Sequence, residues 1–380
     1  MITVVNCISL FQGGSRTVLL GMIEGFLNRK NSGNQFIFLL PSNHGFEELL
    51  SGQIRNDLRY IFLDYPNVRF RAWKKLWIDH VVTAQLARVH SADVILMTGN
   101  FACLLTLRPQ WVLMHNRNYL GALPAVHLRR KFLYIFERFL VWLGVLKGAS
   151  YFFQLETIQT QFCKQYNLES NRTKKVTMVP LASFDRNAKP AVRSKDPVRL
   201  FFPAKLHPNK NHEFLIPIAK LIQESQIRVE IALTLTADEA SSFMSRVATE
   251  GLDSIIINLG SIPNDRIHEY YQRMDALFFP TLSESFGLPY VEALLSGLPI
   301  LTSDLDFARE VCGSAGYYFN PNDAVTAFNE IYRLVQNPKE LSTSITLMRE
   351  QYLHEWSDVV TEMEKELFMS IGPRSLETQS

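Results

Sequence analysis

The sequence has few of the features that mark disulfide-stabilised, metal-binding or repeat proteins. Its 380 residues include only four cysteines, Cys7, Cys103, Cys163 and Cys312, and no pair has the spacing of metal ligands or of a disulfide framework. Such sparse cysteine usage is typical of the reducing cytosol. No internal repeat of solenoid length and no low-complexity tract occurs, which excludes a solenoid or a largely disordered chain.

The segment that most resembles a membrane span is too short to cross a bilayer. It covers residues 132–146, FLYIFERFLVWLGVL, and it is interrupted by Glu137 and Arg138. A spanning helix needs roughly 18–20 predominantly apolar residues. We therefore expect a core or interfacial helix here, preceded by the basic run Arg129–Lys131.

Charge is nearly balanced over the whole chain but not along it. The formal net charge is +2, yet residues 1–183 hold 21 Lys and Arg against 10 Asp and Glu, a balance of +11, and the remainder holds 18 against 27, a balance of −9. A basic half suggests an anionic partner, which leaves a phosphorylated acceptor, nucleic acid or an anionic membrane surface. No nucleic-acid-binding motif is present, so we expect no nucleic acid partner.

The basic aromatic segment Arg69–Trp77, RFRAWKKLW, is the candidate for contact with a membrane. Tryptophan beside Lys and Arg suits a bilayer interface. The alternative, the start of a partly buried amphipathic helix, is equally open. With this segment and Arg129–Lys131 we expect a cytoplasmic protein that binds peripherally to the cytoplasmic face of the inner membrane.

Short apolar runs alternate with longer helical stretches, which predicts an α/β protein with parallel sheets covered on both faces. The predicted strands are Thr3–Ile8, Gln35–Leu40, Asp93–Met97, Trp111–Met114, Tyr151–Phe153, Val176–Val179, Val198–Phe202, Arg228–Leu233, Ser254–Leu259, Ala276–Phe279, Pro299–Thr302 and Gly316–Phe319. The stretch 184–196 is polar and contains proline, which predicts a linker. We predict a first domain over 1–183, a second over 197–360, and a C-terminal helix and tail over 361–380 that can return to the first domain.

The strongest chemical signal is TLSESFGLPYVEALLSGLP, which follows the predicted strand Ala276–Phe279. Glu284 lies in the loop, and Glu292 lies one turn inside the following helix. Gly287 allows backbone N–H groups to approach a ligand at a helix N-terminus, where anions are favoured. On spacing alone, a solvated loop glutamate and a helix-face glutamate remain an equal alternative.

This stretch resembles the E-x7-E motif of glycosyltransferase family 4, across more than twenty positions of FFPTLSESFGLPYVEALLSGLPILTSD. The resemblance implies the GT-B fold, with two Rossmann-like doubly wound domains that face each other across a cleft. It also implies that Glu292 binds the ribose of a nucleotide and Glu284 the donor sugar. Ser285, Phe286, Gly287 and Leu288 would then line the sugar and the diphosphate.

Two lysines follow the first strand of the second half, in FPAKLHPNKNH. Lys205 and Lys210 flank a turn at a strand end, where cations suit a diphosphate leaving group. Two ordinary surface lysines are the alternative. The segment is similar to the family's G-R-L-x-x-x-K-G element, with Lys205 at the arginine position and Lys210 at the lysine position. Lysine cannot form the bidentate fork of arginine, which changes the expected phosphate contact.

Three further signals follow strands of the first half. Gly13 and Gly14 match the glycine-rich loop of the family's first domain, although a simple turn is an alternative, and they lack the G-x-G-x-x-G of a dinucleotide site. His115 lies where the family has a histidine that points at the reacting sugar. Asn116 and Arg117 are candidates to hold the acceptor or a phosphate.

Asp304 and Asp306, which are separated by one residue, also match the D-x-D metal signature of the other large glycosyltransferase fold. It follows the nucleotide motif, so we interpret Asp306 as a helix N-cap and expect no obligatory metal or cofactor. The resemblance implies retaining transfer from a UDP- or GDP-sugar to a glycan or lipid-linked acceptor. A catalytically silent sugar-nucleotide-binding module and a GT-B sugar-nucleotide epimerase are the alternatives.

Overall fold

The computed structural model describes residues 1–53, 55–65, 71–121, 128–181, 184 and 196–371. The chain forms two compact units, one of residues 1–178 with the segment from Glu355 onwards, and one of residues 179–354. The predicted domain limits were 183, 197 and 360. Only Phe184 and Asp196 of the predicted linker are among the described residues, and the end of the tail, 372–380, lies outside them.

The first unit contains a seven-stranded parallel sheet of order β3-β2-β1-β4-β5-β6-β7. Its strands are β1 (Ile2–Asn6), β2 (Gln35–Pro41), β3 (Leu58–Leu63), β4 (Val94–Met97), β5 (Gln110–Leu113), β6 (Ser150–Phe153) and β7 (Thr173–Lys175). Its helices are α1 (Gly13–Asn28), α2 (Phe46–Leu50), α3 (Arg71–Trp77), α4 (Thr83–Val89), α5 (Leu128–Leu146) and α6 (Glu156–Tyr166). A π-helical turn, Ile78–Val82, joins α3 to α4 without a break.

The second unit contains a six-stranded parallel sheet of order β10-β9-β8-β11-β12-β13. Its strands are β8 (Val198–Phe202), β9 (Val229–Leu233), β10 (Ile256–Asn258), β11 (Ala276–Phe279), β12 (Ile300–Ser303) and β13 (Gly316–Phe319). Its helices are α7 (Leu215–Glu224), α8 (Ala237–Thr249), α9 (Ile267–Tyr271), α10 (Leu288–Leu295), α11 (Asp306–Cys312), α12 (Ala324–Gln336) and α13 (Ser342–Glu350). These two parallel sheets confirm the predicted α/β class.

Both sheets have a point where the strand order reverses. The chain leaves β1 towards β2 and β3, and then crosses to β4 on the opposite side of β1. In the second unit the same reversal lies between β8 and β11. In doubly wound sheets ligands bind beyond the carboxyl ends of the strands at such a switch point. A ligand site is therefore expected at the loops after these four strands.

Two strand predictions for the first unit are wrong. Val176–Val179 is not a strand, because the edge strand β7 ends at Lys175 and pairing stops after Val176 N donates to Phe153 O at 2.7 Å. Conversely, β3 (LRYIFL) was not predicted, although its aromatic and β-branched residues favour a strand. Both errors concern edge strands of the sheet. These strands are only partly buried, so their apolar residues form a less distinct pattern in the sequence.

A last helix, α14 (Trp356–Met369), packs on α1 of the first unit. Two glycines of α1 make this contact possible. A Cβ atom at Gly21 would lie 1.9 Å from Cε2 of Trp356, and one at Gly25 would lie 2.4 Å from the Trp356 carbonyl oxygen. Buried Arg29 is also within 3.4 Å of Glu364 on α14 and 3.0 Å of Asp57. None of the helices within the described ranges combines the length and apolar character of a membrane span.

Candidate active site

The loops after β8 and β11 meet at the switch point of the second unit. Because β8 pairs directly with β11, the two loops leave the sheet side by side. Nζ of Lys210, in the first loop, lies 2.5 Å from Oε1 of Glu284, in the second. The Glu284 side chain is only 13% exposed, and the Lys210 ammonium also lies 4.7 Å from the centre of the Phe279 ring. Two of the predicted site residues are thus held together as a partly buried ion pair.

Two residues that the sequence analysis did not single out fasten these loops to each other. The Asn209 carbonyl accepts from Leu282 N at 2.7 Å. The buried Thr281 hydroxyl, which has one proton to donate, lies 2.9 Å from the same carbonyl and 2.7 Å from Oε1 of Glu284. Glu284 is therefore positioned by its neighbours before any ligand arrives. Thr281 lies two residues after the buried strand β11, and this position is the signal in the sequence that could have indicated it.

The turn into α10 requires glycine at position 287. Gly287 has φ +87°, and a Cβ there would lie 2.5 Å from Cδ2 of Tyr290. This conformation starts α10 with no side-chain cap and no acidic residue in its first turn. Pro289 has no N–H, and the Tyr290 N–H donates to the Gly287 carbonyl at 2.9 Å, so it is the Leu288 N–H at the helix start that can face an anion. Phe286 is buried beneath the turn, whereas Ser285 and Leu288 are half-buried.

Glu292 lies one turn inside α10 and is half-buried. The hydroxyl of Tyr271, at the end of α9, donates to Oε2 of Glu292 at 2.8 Å. Burial raises the pKa of Glu292 to about 7, although the bond from Tyr271 opposes that rise. Tyr271 is itself fully buried and packs edge-on against Phe201 and Phe184. No sequence pattern indicated Tyr271, which lies outside the motif.

Lys205 differs from Lys210 in its surroundings. It is exposed, and no ion pair to it is found within the described residues. The loop that carries both lysines is anchored by His212, which is buried and stacks on Phe202 with ring centroids 4.5 Å apart. Burial lowers the pKa of His212 to about 4, so it is neutral and structural at pH 7.

In the first unit, Gly13 and Gly14 open α1, which follows β1 after a six-residue loop. Gly13 has φ +55°, and a Cβ built at either glycine has no neighbouring atom within 4 Å. Packing therefore does not require Gly14 to be glycine. The N-terminus of this 16-residue helix carries no acidic residue in its first turn and no side-chain cap, and both glycines are exposed. This arrangement suits close approach of an anionic ligand.

His115 follows β5 and is held by two polar residues that the sequence analysis missed. Oδ1 of Asn100 accepts from the backbone N–H groups of His115 and Asn116 at 2.6 and 3.1 Å. Nε2 of Gln154, which follows β6, lies 3.1 Å from Nδ1 of His115. If the Gln154 amide donates, His115 carries its proton on Nε2. Burial lowers the pKa of His115 to about 4, so the ring is neutral at pH 7.

Asn116 and Arg117 follow His115 directly. Both are half-buried, and Arg117 begins the short 3-10 turn Arg117–Tyr119. They therefore lie beside His115 in the loop after β5, at the same edge of the sheet as the glycine turn after β1.

The two aspartates of the D-x-D sequence have structural partners. Asp304 binds Arg309 through both carboxylate oxygens, at 2.5 and 2.8 Å. Asp306 was predicted to be an N-cap, which is wrong by one position: the cap is Leu305, and Asp306 is the first residue of α11, where its Oδ1 accepts from Phe307 N. Among the described residues, no three His, Cys, Asp and Glu side chains are grouped to hold a metal ion.

Comparison with known proteins identifies the second unit. Residues 197–337 match the family described as "Glycosyl transferases group 1". That range contains the Lys210–Glu284 pair, the Gly287 turn and Glu292. The second unit carries a domain of the group 1 type, and this chain is a glycosyltransferase. The resemblance to family 4 predicted from the motif region is thereby confirmed.

Relatives and solved structures extend the likeness of this glycosyltransferase beyond the motif region. It is 23% identical over 293 residues to the O-antigen chain mannosyltransferase RfbU of Salmonella typhimurium, which covers 75% of this chain and 79% of that protein. HepE from Anabaena, solved with UDP and glucose, superposes with a TM-score of 0.71 at 17% identity, over 97% of this chain and 100% of HepE. Sucrose-phosphate synthase from Thermosynechococcus elongatus gives 0.71 at 15% identity over the full length of both chains. The predicted GT-B fold is confirmed.

Proposed function

We propose that this glycosyltransferase moves a sugar from a UDP- or GDP-sugar to a glycan or lipid-linked glycan precursor, with retention of the anomeric configuration. The proposal is carried by one observation: Lys210 and Glu284 are joined at the switch point of the second sheet, beside the Gly287 turn. An ammonium, a carboxylate and the Gly287–Leu288 backbone at one sheet edge match a donor that has both phosphates and hydroxyls.

Each part of the donor has a proposed partner. Glu292 accepts from the ribose hydroxyls, and Tyr271 keeps its carboxylate in place. Glu284 contacts the donor sugar, while the backbone of Ser285, Phe286, Gly287 and Leu288 lines the sugar and diphosphate. Lys210 and Lys205 neutralise charge on the diphosphate, with Lys210 already oriented by its ion pair.

The proposed reaction is a front-face displacement without an obligatory metal. The bond between the anomeric carbon and the diphosphate oxygen breaks, and the acceptor oxygen forms its new bond on the same face. The acceptor proton passes to the departing diphosphate. The protein contributes positioning and stabilisation of charge on the leaving group, chiefly through the two lysines and the Gly287–Leu288 backbone.

The acceptor side is assigned to the first unit. We propose that neutral His115 donates from Nε2 towards the reacting sugar, that Asn116 and Arg117 hold the acceptor, and that Gly13 and Gly14 admit substrate close to the α1 N-terminus. The O-antigen activity in the name of RfbU supports a glycan acceptor, and the UDP complex of HepE supports a nucleotide-sugar donor. A lipid-linked acceptor would place the enzyme peripherally on the cytoplasmic face of the inner membrane.

Calorimetric binding of UDP and GDP tests the proposal. Each nucleotide is titrated into the wild type and Glu292→Ala, with and without EDTA. The matched control is Glu224→Ala, at the exposed last residue of α7. We expect one nucleotide to bind without metal, to weaken at least about 10-fold in Glu292→Ala, and to be unaffected in the control. Binding of neither nucleotide, or binding lost with EDTA, would contradict the proposal as stated.

A further inference from the structure

Helix α5 is apolar on two opposite faces. Its inner face is closely packed: a Cβ at Gly144 would lie 2.9 Å from both Ala102 Cβ and Tyr151 Oη. Its outer stripe recurs at helical spacing and is about half exposed, in Phe132, Ile135, Phe136, Phe139, Trp142 and Leu146. A helix of a soluble protein normally presents charged residues to water on the face away from its core. The exposed apolar stripe of α5 is therefore expected to be covered by a partner or a lipid surface.

The apolar surface continues beyond α5. Lys147, directly after α5, donates to the Leu104 carbonyl at 2.5 Å, and Leu104 N donates in turn to Nδ1 of His80 in the π-helical turn. These bonds bring the loop that carries exposed Leu105 and Leu107 between the end of α5 and the α3–α4 helix. Leu107 is 96% exposed.

The α3 helix adds two tryptophans to this surface. Trp73 and Trp77 lie one turn apart and are 75% and 54% exposed. Together with the six α5 residues and the two leucines, they expose on the order of 1,000 Å² of apolar surface, spread over three segments that the bonds of Leu104 link. We call these ten residues the apolar face. Of the predicted segment Arg69–Trp77, residues 69 and 70 lie outside the described part of the chain.

Basic residues outnumber acidic ones around the apolar face, although Lys74 and Lys75 on α3 are paired with Asp64 and Asp79. Glu137 is the only acidic residue of the α5 sequence, and the segments 71–77 and 99–110 contain none. Lys131, in the basic run at the start of α5, is exposed. A second copy of this chain would set cationic surface against cationic surface, which is unfavourable. An anionic bilayer matches both the apolar side chains and the flanking cations.

We propose that the apolar face docks this enzyme on an anionic lipid surface, with α5 as the main inserting element. This rests on the proposed function, since a lipid-linked acceptor brings the enzyme to a membrane. It extends that function by naming the surface, in which α5 and the Leu105–Leu107 loop contribute more side chains than the basic aromatic segment. The tryptophans give a direct probe: Trp73, Trp77 and Trp142 lie on the face, whereas Trp111 and Trp356 are buried.

Flotation of the full chain with vesicles tests the proposal. Vesicles of phosphatidylglycerol and phosphatidylcholine are compared with phosphatidylcholine alone, and tryptophan emission and its quenching by brominated lipid are recorded. We expect binding to the anionic vesicles with a blue shift and quenching. Phe139→Ser/Trp142→Ser should weaken this binding at least about 10-fold, and Lys131→Glu should weaken it less but measurably. The matched control, Tyr332→Ser/Leu347→Ser, removes two exposed apolar residues of the second unit and should bind as the wild type.

Two results would overturn the proposal. The first is equal flotation of the α5 variant and the wild type. The second is that the wild type does not bind vesicles but forms a concentration-dependent dimer in sedimentation, and that the α5 variant abolishes this dimer. That result would assign the apolar face to contact with a second copy of the chain. Lys131→Glu keeps the test decisive if the double variant does not fold. Nucleotide binding by the same variants is expected to be unchanged, so failed docking and a failed donor site give different results.

Discussion

The hydroxyl of Tyr271 donates a 2.8 Å hydrogen bond to Oε2 of Glu292, a carboxyl whose burial raises its pKa to about 7. The bond comes from α9, outside the E-x7-E motif, and it fixes the motif's second glutamate in the geometry of a hydroxyl acceptor. The same burial makes the ionised form of Glu292 costly in the folded protein. Function and stability therefore make opposite demands on this residue.

Glu292→Gln should stabilise the protein at pH 8 while weakening nucleotide binding. The folded pKa of Glu292 lies above its unfolded value near 4.5, so the folded state holds the extra proton between about pH 4.5 and 7 and stability falls as pH rises through that window. We expect Glu292→Gln to gain about 1–3 kcal/mol in free energy of unfolding at pH 8 and nothing at pH 4. Urea unfolding at the two pH values checks this; an equal effect at both would contradict the cause.

His115 should show the opposite pH dependence. Its folded pKa, about 4, lies below the unfolded value near 6.5, so the unfolded state takes up the proton first and stability is lost as pH falls from about 6.5 towards 4. In His115→Gln this loss should shrink by about 1–3 kcal/mol at pH 4. Wild type and variant are compared by urea unfolding at pH 7 and pH 4. Identical pH profiles would show that His115 does not titrate as its burial predicts.

The Lys210–Glu284 pair predicts unequal roles for the two lysines. Lys210 is oriented by the pair, whereas Lys205 is exposed. We expect Lys210→Met to lower kcat about 10²–10³-fold and Lys205→Met to lower it less, because only a positioned charge stabilises the leaving group without reorganisation. Lys220→Met is the matched control, since Lys220 is also paired with a glutamate, Glu250, at 2.5 Å, but on α7. Initial rates of sugar transfer measure all three; equal losses for the two site lysines would refute the argument.

Substitution of Gly14 should affect catalysis without harming the stability of the fold. Because a Cβ at this position meets no atom of the protein within 4 Å, Gly14→Ala should leave the fold intact and add up to about 1 kcal/mol through helix propensity. If the backbone here is approached by substrate, the same methyl group should lower kcat/KM at least about 10-fold. Thermal unfolding and transfer kinetics on one preparation measure both. An unchanged kcat/KM would assign Gly14 to a simple turn.

The sequence predicted the fold better than it predicted the site's supporting residues, for physical reasons. Central strands such as β8 and β11 are buried on both faces and read as continuous apolar runs, so their limits were predicted to the residue. Edge strands are half-exposed, and β3 and β7 were missed or misplaced. Glu284 and Glu292 were found through the motif. Tyr271, Asn100 and Gln154 were not, because each lies on a different element from the residue it supports, Glu292 or His115, and only the fold of its own unit brings the two together.

The contact between α14 and α1 yields the last prediction. Gly21→Ala would place a methyl group 1.9 Å from the Trp356 ring, so α14 must move or detach. We expect a loss of about 2–3 kcal/mol, even though alanine is the better helix residue by about 1 kcal/mol. Gly14→Ala, in the same helix but in open space, is the control. Since α14 belongs to the first unit, hydrogen exchange should show faster opening of β1 and β2 with β8 and β11 unchanged. Faster exchange in both units alike would mean that α14 stabilises the whole chain and not its own unit alone.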